Sequence, residues 1–383
     1  MATRTVIGAG MLVLILLGGL LATGAAAPEP YVIGAVFDIT GPASPLGTPE
    51  RDTALLVEEA VNRAGGINGH PIRLVIYDNG SQETNCVLAV KKLIENDKVL
   101  AIIGPSQSGT TLAVVNIVEA ARIPLVSCAA SIKITEPVKP WVFKTPQSDS
   151  FAVMKLIDYM KPRKIQRIAF ISVSNAFGMS GLEQAELLFP KAGISIVAKE
   201  SFGPTDTDMT VQLTRIRASN AQAVVCWGTN PGPAIVARNM QQLGMTIPLF
   251  MSHGVANRKF IELAGPAADG VVFPAGRLLV AEGIPKSDPR RAVLIRYKTL
   301  FQQKYGREAD TFGGHAWDAL NLVLAALKKV GPDSAKLRAE IERTRNYVGT
   351  AGFFNMSPRE HNGLTEDSFV MVKIVKGDWV LAK

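Results

Sequence analysis

Short apolar runs alternate with helical patterns along most of the chain. In the first part the strand-like runs cover residues 32–37, 72–78, 99–105 and 123–127, and the helical patterns cover 50–63, 83–96 and 110–121. The second part repeats this order, with strand-like runs at 167–172, 194–202, 221–227 and 247–252 and helical patterns at 179–191, 208–218 and 232–243. The alternation predicts parallel sheets joined by crossover helices. Because the strands are apolar throughout, we expect both faces of each sheet to be covered.

The two parts also match in detail, since both fourth strands open with Ile-Pro-Leu, at Ile123 and Ile247, and end on Ser. We therefore predict an α/β protein of two similar, doubly wound parallel-sheet lobes. The tail mixes both kinds of element, with helical patterns at 290–305, 315–330 and 334–345 and strand-like runs at 349–354 and 369–375. Such a tail is expected to be shared by the two lobes.

The N-terminus has the three parts of a secretory signal peptide. Arg4 precedes an uncharged apolar run over residues 6–21, and small residues follow over 22–27. We expect residues 1–27 to be removed and the mature protein, from about Pro28, to be secreted into the periplasm. A permanent membrane anchor is the alternative, but no basic stop follows the run. The segment contains no cysteine, which excludes a lipid anchor on an N-terminal Cys.

The composition of the chain argues against nucleic acid, membrane and metal as partners. The chain has 383 residues, a length that predicts two domains, and a formal net charge of +8. Its basic residues form no block and aromatic residues make up 7%, so we expect no nucleic acid partner. No segment after the signal peptide has the pattern of a membrane span. Three cysteines, Cys86, Cys128 and Cys226, show no metal-binding spacing. We predict three buried, reduced thiols, with one disulfide as the alternative, and neither metal nor cofactor.

The loop after the third strand-like run carries the clearest chemical signal. Residues 104–111 read Gly-Pro-Ser-Gln-Ser-Gly-Thr-Thr and lead into a helix. The frame nearly matches a phosphate-binding loop, but Thr110 stands where that loop needs a Lys, which argues against nucleotide hydrolysis. What remains is a helix N-terminus with free N–H groups and the hydroxyls of Ser106, Ser108 and Thr110, one of which we expect to cap the helix. This arrangement suits a small carboxylate, since ligands bind at the carboxyl ends of parallel strands.

The second part offers three loops at the matching edge of its sheet, over residues 174–181, 228–233 and 252–257. They supply Phe177, Asn230 and His253. Phe177 suits an apolar cavity wall and core packing equally well. A lone His is most often structural, but the position of His253 at the carboxyl end of a strand favours ligand contact.

Enzyme signatures are missing from the sequence. There is no GxSxG or HExxH motif, and the four histidines lie in different segments. Residues 313–318 pair a His with an Asp, yet the pair opens a helix, where we expect Asp318 to face solvent. Without a recognisable nucleophile and base, the sequence predicts a protein that is not an enzyme.

Several motifs keep a characteristic order and spacing over residues 40–47, 64–78, 102–110, 123–131, 177–181 and 312–320. Together they resemble the periplasmic substrate-binding proteins of ABC importers, in the branched-chain amino-acid (leucine/isoleucine/valine-binding) family with the type I periplasmic binding fold. The resemblance implies three hinge crossings between the lobes. It assigns residues 28–147 and 277–349 to lobe 1 and residues 148–276 and 350–383 to lobe 2.

The resemblance also implies a ligand site between the lobes. Ser108 is expected to hold a ligand carboxylate by its hydroxyl, with backbone from Ala130 and both backbone and hydroxyl from Ser131. Phe177 and Phe312 fall at positions that are often aromatic in the family. The candidate ligand-binding residues are Leu46, Ser106, Ser108, Ala130, Ser131, Phe177, Asn230, His253 and Phe312.

One departure from the family pattern concerns charge. Amino-acid binders usually place an acid in the loop that here contains His253, and none of the three rim loops of the second part contains Asp or Glu. A buried ammonium without a carboxylate partner costs several kcal/mol. We therefore expect a carboxylate without an α-ammonium, with an apolar or aromatic tail. The alternative is a branched-chain amino acid whose ammonium is paired by Asp38 or Glu50.

These observations predict a monomeric binding protein that closes around a small organic carboxylate by hinge motion and delivers it to the subunits of an ABC permease. A sensory receptor subunit that reports the same solute to a signalling partner is the alternative. A secreted hydrolase is disfavoured because no nucleophile–base pair is visible.

Overall fold

The computed structural model describes residues 1–3, 5 and 28–382, so most of the predicted signal peptide lies outside the described residues. The first lobe is built on a five-stranded sheet in the order β2-β1-β3-β4-β5, in which every neighbouring pair is parallel. Its elements are β1 (Tyr31–Phe37), α1 (Ser44–Arg63), β2 (Ile72–Asp78), α2 (Glu83–Glu95), β3 (Ile102–Ile103), α3 (Ser108–Ala121), β4 (Leu125–Ser127) and β5 (Val142–Lys144).

The second lobe is built on a seven-stranded sheet. Its first elements are α4 (Asp149–Met160), β6 (Arg167–Val173), α5 (Ala176–Leu188), β7 (Ser195–Phe202), α6 (Thr210–Ala218), β8 (Ala223–Trp227), α7 (Gly232–Gln242), β9 (Leu249–Met251), α8 (Arg258–Ala264) and β10 (Val272–Gly276). Strands β7-β6-β8-β9-β10 are parallel, as in the first lobe. The repeated α/β architecture predicted from the sequence is therefore confirmed.

The tail is shared between the lobes, as predicted. Its elements are α9 (Arg290–Tyr305), α10 (Thr311–Val330), α11 (Ser334–Glu342), β11 (Tyr347–Val348), β12 (Phe353–Phe354), β13 (Phe369–Val375) and β14 (Asp378–Leu381). Helix α10 packs along α1 of the first lobe. Strands β13 and β14 extend the second sheet as antiparallel edge strands. The chain thus crosses between the lobes after β5, after β10 and after β12. The lobe boundary at 349/350 falls inside the β11–β12 ribbon, and the division of the chain at that residue stays a prediction.

Both faces of the first sheet are buried, as the unbroken apolar strands predicted. On β1, Ile33, Ala35 and Phe37 pack into one hydrophobic cluster, whereas Val36 packs into a second cluster on the opposite face. This pattern follows from the alternation of side chains along a strand. In the described part of the chain no helix combines the length and the apolar character that a membrane span requires.

Helix α1 begins earlier than the pattern predicted, at Ser44 instead of residue 50. The motif at residues 40–47 therefore contains the first turn of α1. Pro45 lies in the first turn, where its missing N–H costs nothing, and Pro49 lies inside the helix. Because Pro49 has no N–H to donate, the Pro45 carbonyl is free to accept a hydrogen bond from the Asn257 side chain of the second lobe, 3.0 Å away. The hydrogen bond that Pro49 cannot make within α1 thus leaves a first-lobe carbonyl free to bond to the second lobe.

Six helices and strands were not predicted from the sequence: β5, α4, α8, β10, β11 and β14. Strand β5 shows why. It has three residues and ends on Lys144, which is fully buried. A buried Lys interrupts the apolar run on which strand prediction rests.

The three cysteines are free and buried, which confirms the predicted reduced thiols for these residues. Burial raises the pKa of Cys86 to about 12 and raises the pKa of Cys128 and Cys226 well above the usual range. Since the thiolate is the reactive form, we expect no thiol to react with Ellman's reagent in the native protein. Three should react after denaturation without reductant. Recovery of a single thiol would show the disulfide instead.

Candidate functional site

The carboxyl ends of the parallel strands of both sheets face one interlobe cavity of about 420 Å³. The first lobe and the tail contribute Pro42, Leu46, Ser81, Gln82, Glu83, Ser106, Gln107, Ser108, Gly109, Thr110, Cys128, Ala129, Ala130, Pro146, Phe312 and His315. The second lobe contributes Asn175, Phe177, Pro204, Thr229, His253 and Gly254. The size suits a small organic molecule.

The structure brings seven of the nine candidate ligand-binding residues to this cavity: Leu46, Ser106, Ser108, Ala130, Phe177, His253 and Phe312. Ser131 and Asn230 do not line it. Whether the seven contact a ligand stays a prediction, but their convergence follows from the topology. All but Leu46 and Phe312, which lie near the N-terminal ends of α1 and α10, follow the carboxyl ends of strands.

Ser108 is the first residue of α3 and lines the cavity. Its Oγ accepts the Ser131 backbone N–H at 3.2 Å, so its hydroxyl proton remains available. We expected one of the three hydroxyls to cap α3, and this was wrong. The N-cap residue is Gln107, whose side chain makes no capping bond, and Thr110 Oγ1 donates to the Gln107 carbonyl. The N–H groups of the first turn therefore remain open towards an anion.

Ser106 lies beside Ser108 but is engaged within the protein. Its hydroxyl donates to a carboxylate oxygen of Glu50 and accepts the Asp38 backbone N–H. Asp38 and Glu50 are fully buried and do not line the cavity. Burial raises the pKa of Asp38 to about 6 and the pKa of Glu50 well above its usual range. Neither acid is therefore placed to pair with an ammonium in the cavity.

Two histidines face the cavity without hydrogen-bond partners. Neither ring nitrogen of His253 has a partner among the described residues, nor does Nδ1 of His315. Both side chains are more than nine-tenths buried, and burial lowers the pKa of each to about 3. The second cause for each is charge repulsion, from His315 and Lys144 on His253 and from Lys144 on His315. Both imidazoles are thus neutral, and each can donate one hydrogen bond and accept another.

His315 was missed as a site residue, although a signal for it exists in the sequence. It lies three residues after Phe312 on α10, a spacing that places two side chains on one helix face. Its neighbour Asp318 was also misjudged. We expected Asp318 to face solvent, but it is fully buried and accepts the backbone N–H groups of Thr350 and Ala351 at 2.7 and 2.8 Å. These hydrogen bonds connect α10 to the third crossing between the lobes, and Asp318 does not line the cavity.

Ser131 and Asn230 are occupied elsewhere. The Ser131 hydroxyl donates to Ser180 of α5, 2.8 Å away across the cleft, so it cannot at the same time donate to a ligand. The Asn230 amide donates to Asn257 at 3.3 Å. Sequence position placed both residues at the correct edge, but the Ser131 side chain bonds to the other lobe and the Asn230 side chain bonds within its own lobe.

The segment after β2 was missed altogether. Ser81, Gln82 and Glu83 reach the cavity because β2 neighbours β1 in the sheet, so the two strands end at the same edge. Glu83 is the only acidic residue among the described residues that line the cavity, and its side chain is exposed. It therefore lies at the mouth of the cavity, where water screens its charge.

Comparison with known proteins agrees with this architecture. The sequence model of a family described as periplasmic binding protein matches residues 30–378. The chain belongs to this family. Members of this family are substrate-binding proteins and not enzymes. The protein is therefore a substrate-binding protein, as the sequence predicted.

Two curated relatives match most of this periplasmic binding protein. A leucine-, isoleucine-, valine-, threonine- and alanine-binding protein of Pseudomonas aeruginosa is 24% identical over 320 residues, which cover 82% of this chain and 83% of the relative. A Leu/Ile/Val-binding protein of Rhizobium johnstonii is 24% identical over 354 residues, which cover 92% and 93% of the two chains. The resemblance to the branched-chain amino-acid group is thereby confirmed.

Solved structures show the same fold. An extracellular ligand-binding receptor from Rhodopseudomonas palustris superimposes with a TM-score of 0.88 at 25% identity, covering 93% of this chain and all of that one. A branched-chain amino acid transporter substrate-binding protein from Streptococcus pneumoniae, in complex with isoleucine, gives 0.82 at 23% identity, covering 92% and 98%. The type I periplasmic binding fold of two lobes is thus established.

We expect Ser108→Ala to weaken the binding of 4-methyl-2-oxopentanoate, the keto acid of leucine, about tenfold or more. A hydrogen bond to a charged group contributes roughly 1.5–3 kcal/mol. Isothermal titration calorimetry measures the change. Ser172→Ala is a matched control, because Ser172 is about as buried but does not line the cavity. Equal affinities of the Ser108 variant and the wild type would remove Ser108 from the site.

Proposed function

We propose that this protein is a periplasmic, monomeric solute receptor that closes around a small carboxylate and presents it to an ABC permease. The single observation that supports this most strongly is the interlobe cavity, whose walls come from both lobes. A solute that contacts both walls stabilises the closed state over the open state by the sum of those contacts. Closure in turn creates the surface that a permease would recognise.

The first-lobe wall supports a carboxylate at one end of the ligand. The Ser108 hydroxyl, the open first turn of α3 and the Ala130 segment lie together there. A helix N-terminus carries partial positive charge and unpaired N–H groups, both of which stabilise an anion. No Lys or Arg lines the cavity among the described residues, so the anion would be held by dipoles and hydroxyls.

The charge of the second-lobe wall supports a ligand without an α-ammonium. Asn175, Thr229 and His253 are its polar members, and none carries a negative charge. Glu83 lies at the mouth, and Asp38 and Glu50 lie behind Ser106. An ammonium in the interior would remain unpaired, at a cost of several kcal/mol.

The remaining walls support an apolar tail that carries one neutral polar group. Leu46, Phe177 and Phe312 offer apolar surface, and His253 and His315 offer unpartnered ring nitrogens. A keto, hydroxyl or phenol oxygen would satisfy a neutral imidazole without introducing a charge. A ligand of this kind also explains why the protein leaves two buried imidazoles without partners.

A branched-chain amino acid is the second candidate, and Glu83 is the observation that favours it. If the ligand lies near the mouth, its ammonium can approach this carboxylate. The relatives from Pseudomonas aeruginosa and Rhizobium johnstonii are named for such ligands.

Titration of the wild-type protein separates the two candidates. We expect 4-methyl-2-oxopentanoate to bind at least tenfold more tightly than leucine, since the two differ at the group that would need a buried acid. Calorimetry of both compounds at pH 7 gives the ratio. Micromolar leucine binding with no heat from the keto acid would contradict the proposed ligand class and favour Glu83 as the ammonium partner.

The histidines can be tested by removing their nitrogens while keeping their ring shape. We expect His315→Phe to weaken the binding of 4-methyl-2-oxopentanoate about three- to tenfold, the contribution of one neutral hydrogen bond. It should leave 4-methylpentanoate, which lacks the keto oxygen, almost unchanged. His70→Phe, which lies outside the cavity, is the control. Equal losses for both acids would show that His315 shapes the cavity and makes no hydrogen bond to the keto oxygen.

A further inference from the structure

A buried chain of hydrogen bonds joins the two lobes beside the cavity. Ser131, which follows β4 in the first lobe, donates its hydroxyl to Ser180 Oγ of α5 at 2.8 Å. Ser180 in turn donates to Oδ2 of Asp149, the first residue of α4, at 2.5 Å. All three side chains are completely buried. The first bond crosses between the lobes, whereas the second lies within the second lobe.

The Asp149 carboxylate determines which group donates in each of these hydrogen bonds. Burial raises its pKa to about 6, and the Ser180 hydroxyl and the Lys144 ammonium oppose that rise. The Ser180 hydroxyl donates to this carboxylate, and an ionised carboxylate can only accept. Ser180 must then point its proton at Asp149, which leaves its oxygen lone pairs to accept from Ser131. The second lobe thus carries a hydroxyl that is already oriented to receive the first lobe.

The same series of hydrogen bonds extends to Ser108, at the first-lobe end of the cavity. The Ser131 backbone N–H donates to Ser108 Oγ at 3.2 Å, and Ser131 Oγ also accepts the Lys133 N–H. The contact with Ser180 therefore holds the backbone that orients the Ser108 hydroxyl. Separation of the lobes would break the Ser131–Ser180 bond and leave the Ser180–Asp149 bond intact.

We propose that Ser180 and Asp149 are positioning residues that form, with Ser131, a latch for the closed state. The latch rests on the closure proposed above as the function, and it touches no ligand. In the open state water can bond Ser131 and Ser180. In the closed state the Ser131 hydroxyl donates only to Ser180, so loss of the Ser180 hydroxyl leaves that buried donor unpaired. In the open state water can replace the Ser180 hydroxyl at both Ser131 and Asp149, so its deletion destabilises the closed state more than the open state.

A latch predicts the same loss for every ligand, whereas a ligand contact predicts a loss that depends on ligand chemistry. The probes are 4-methyl-2-oxopentanoate, 3-phenylpropanoate and leucine. For each probe that the wild type binds, Ser180→Ala should raise the dissociation constant about three- to tenfold, mainly through faster dissociation. Asp149→Asn should give a smaller, equally uniform loss, since its amide oxygen can still accept.

Glu183→Gln is the matched control. Glu183 lies on the same helix and pairs with Lys133 across the same cleft at 2.6 Å, but both side chains are about half exposed. A surface ion pair contributes little, so we expect less than a twofold change. Unchanged binding by Ser180→Ala, a loss no larger than that of Glu183→Gln, or losses that differ between probes would each overturn the latch.

Cross-linking tests the latch without any ligand. In the double variant Ser131→Cys and Ser180→Cys the two thiols should meet on closure and form a disulfide under mild oxidation, since the native oxygens lie 2.8 Å apart. The single variants are the controls for the buried native cysteines. Absence of the cross-link would overturn the latch. If the wild type binds none of the probes, the proposed ligand class is wrong, and cross-linking alone then decides whether the latch exists.

Discussion

Loss of water from polar groups when the two lobes meet is the constraint on which the site depends. Each hydroxyl, imidazole or carboxylate that closure buries must find a partner in the protein or on the solute. The polar residues around the cavity fall into two sets by this criterion. Ser106, Ser131 and Asn230 are bonded within the protein. Ser108, His253 and His315 keep donors or acceptors free, and these are the groups that a bound solute would satisfy.

The same constraint governs charge. Four acids near the cleft, Asp38, Glu50, Asp149 and Asp318, are fully buried, and burial raises the pKa of each. The fold keeps these carboxylates behind the cavity wall, where Ser106 and Ser180 bond two of them. The cavity itself offers dipoles, hydroxyls and neutral rings, and Glu83 at its mouth is its one acid among the described residues. This composition is the basis of our proposal that the ligand has an anionic head and an apolar tail and is not a zwitterion.

Much of this arrangement follows from the sequence, because parallel topology is itself a strong constraint. The alternation of strands and helices predicts parallel sheets, in which the carboxyl ends of the strands meet at one edge. This topology alone places Ser108, Phe177 and His253 at that edge. The direction in which each side chain points could not be predicted from the sequence. Ser131 turns to Ser180 only because another lobe is there. His315 and Asp318, three residues apart on α10, face the cavity and the third crossing respectively. Glu83 reaches the cavity through a strand order that a repeat pattern alone does not specify.

We propose that a carboxylate occupies the first-lobe end of the closed interlobe cavity and that the bound solute buries no ammonium in the interior. A crystal structure of the protein with the tightest-binding acid tests this most directly. We expect a carboxylate oxygen within hydrogen-bond distance of Ser108 Oγ and the first N–H groups of α3, with the ligand tail between Phe177 and Phe312. A ligand bound with its carboxylate away from α3, or with an ammonium paired to Glu83, would contradict it.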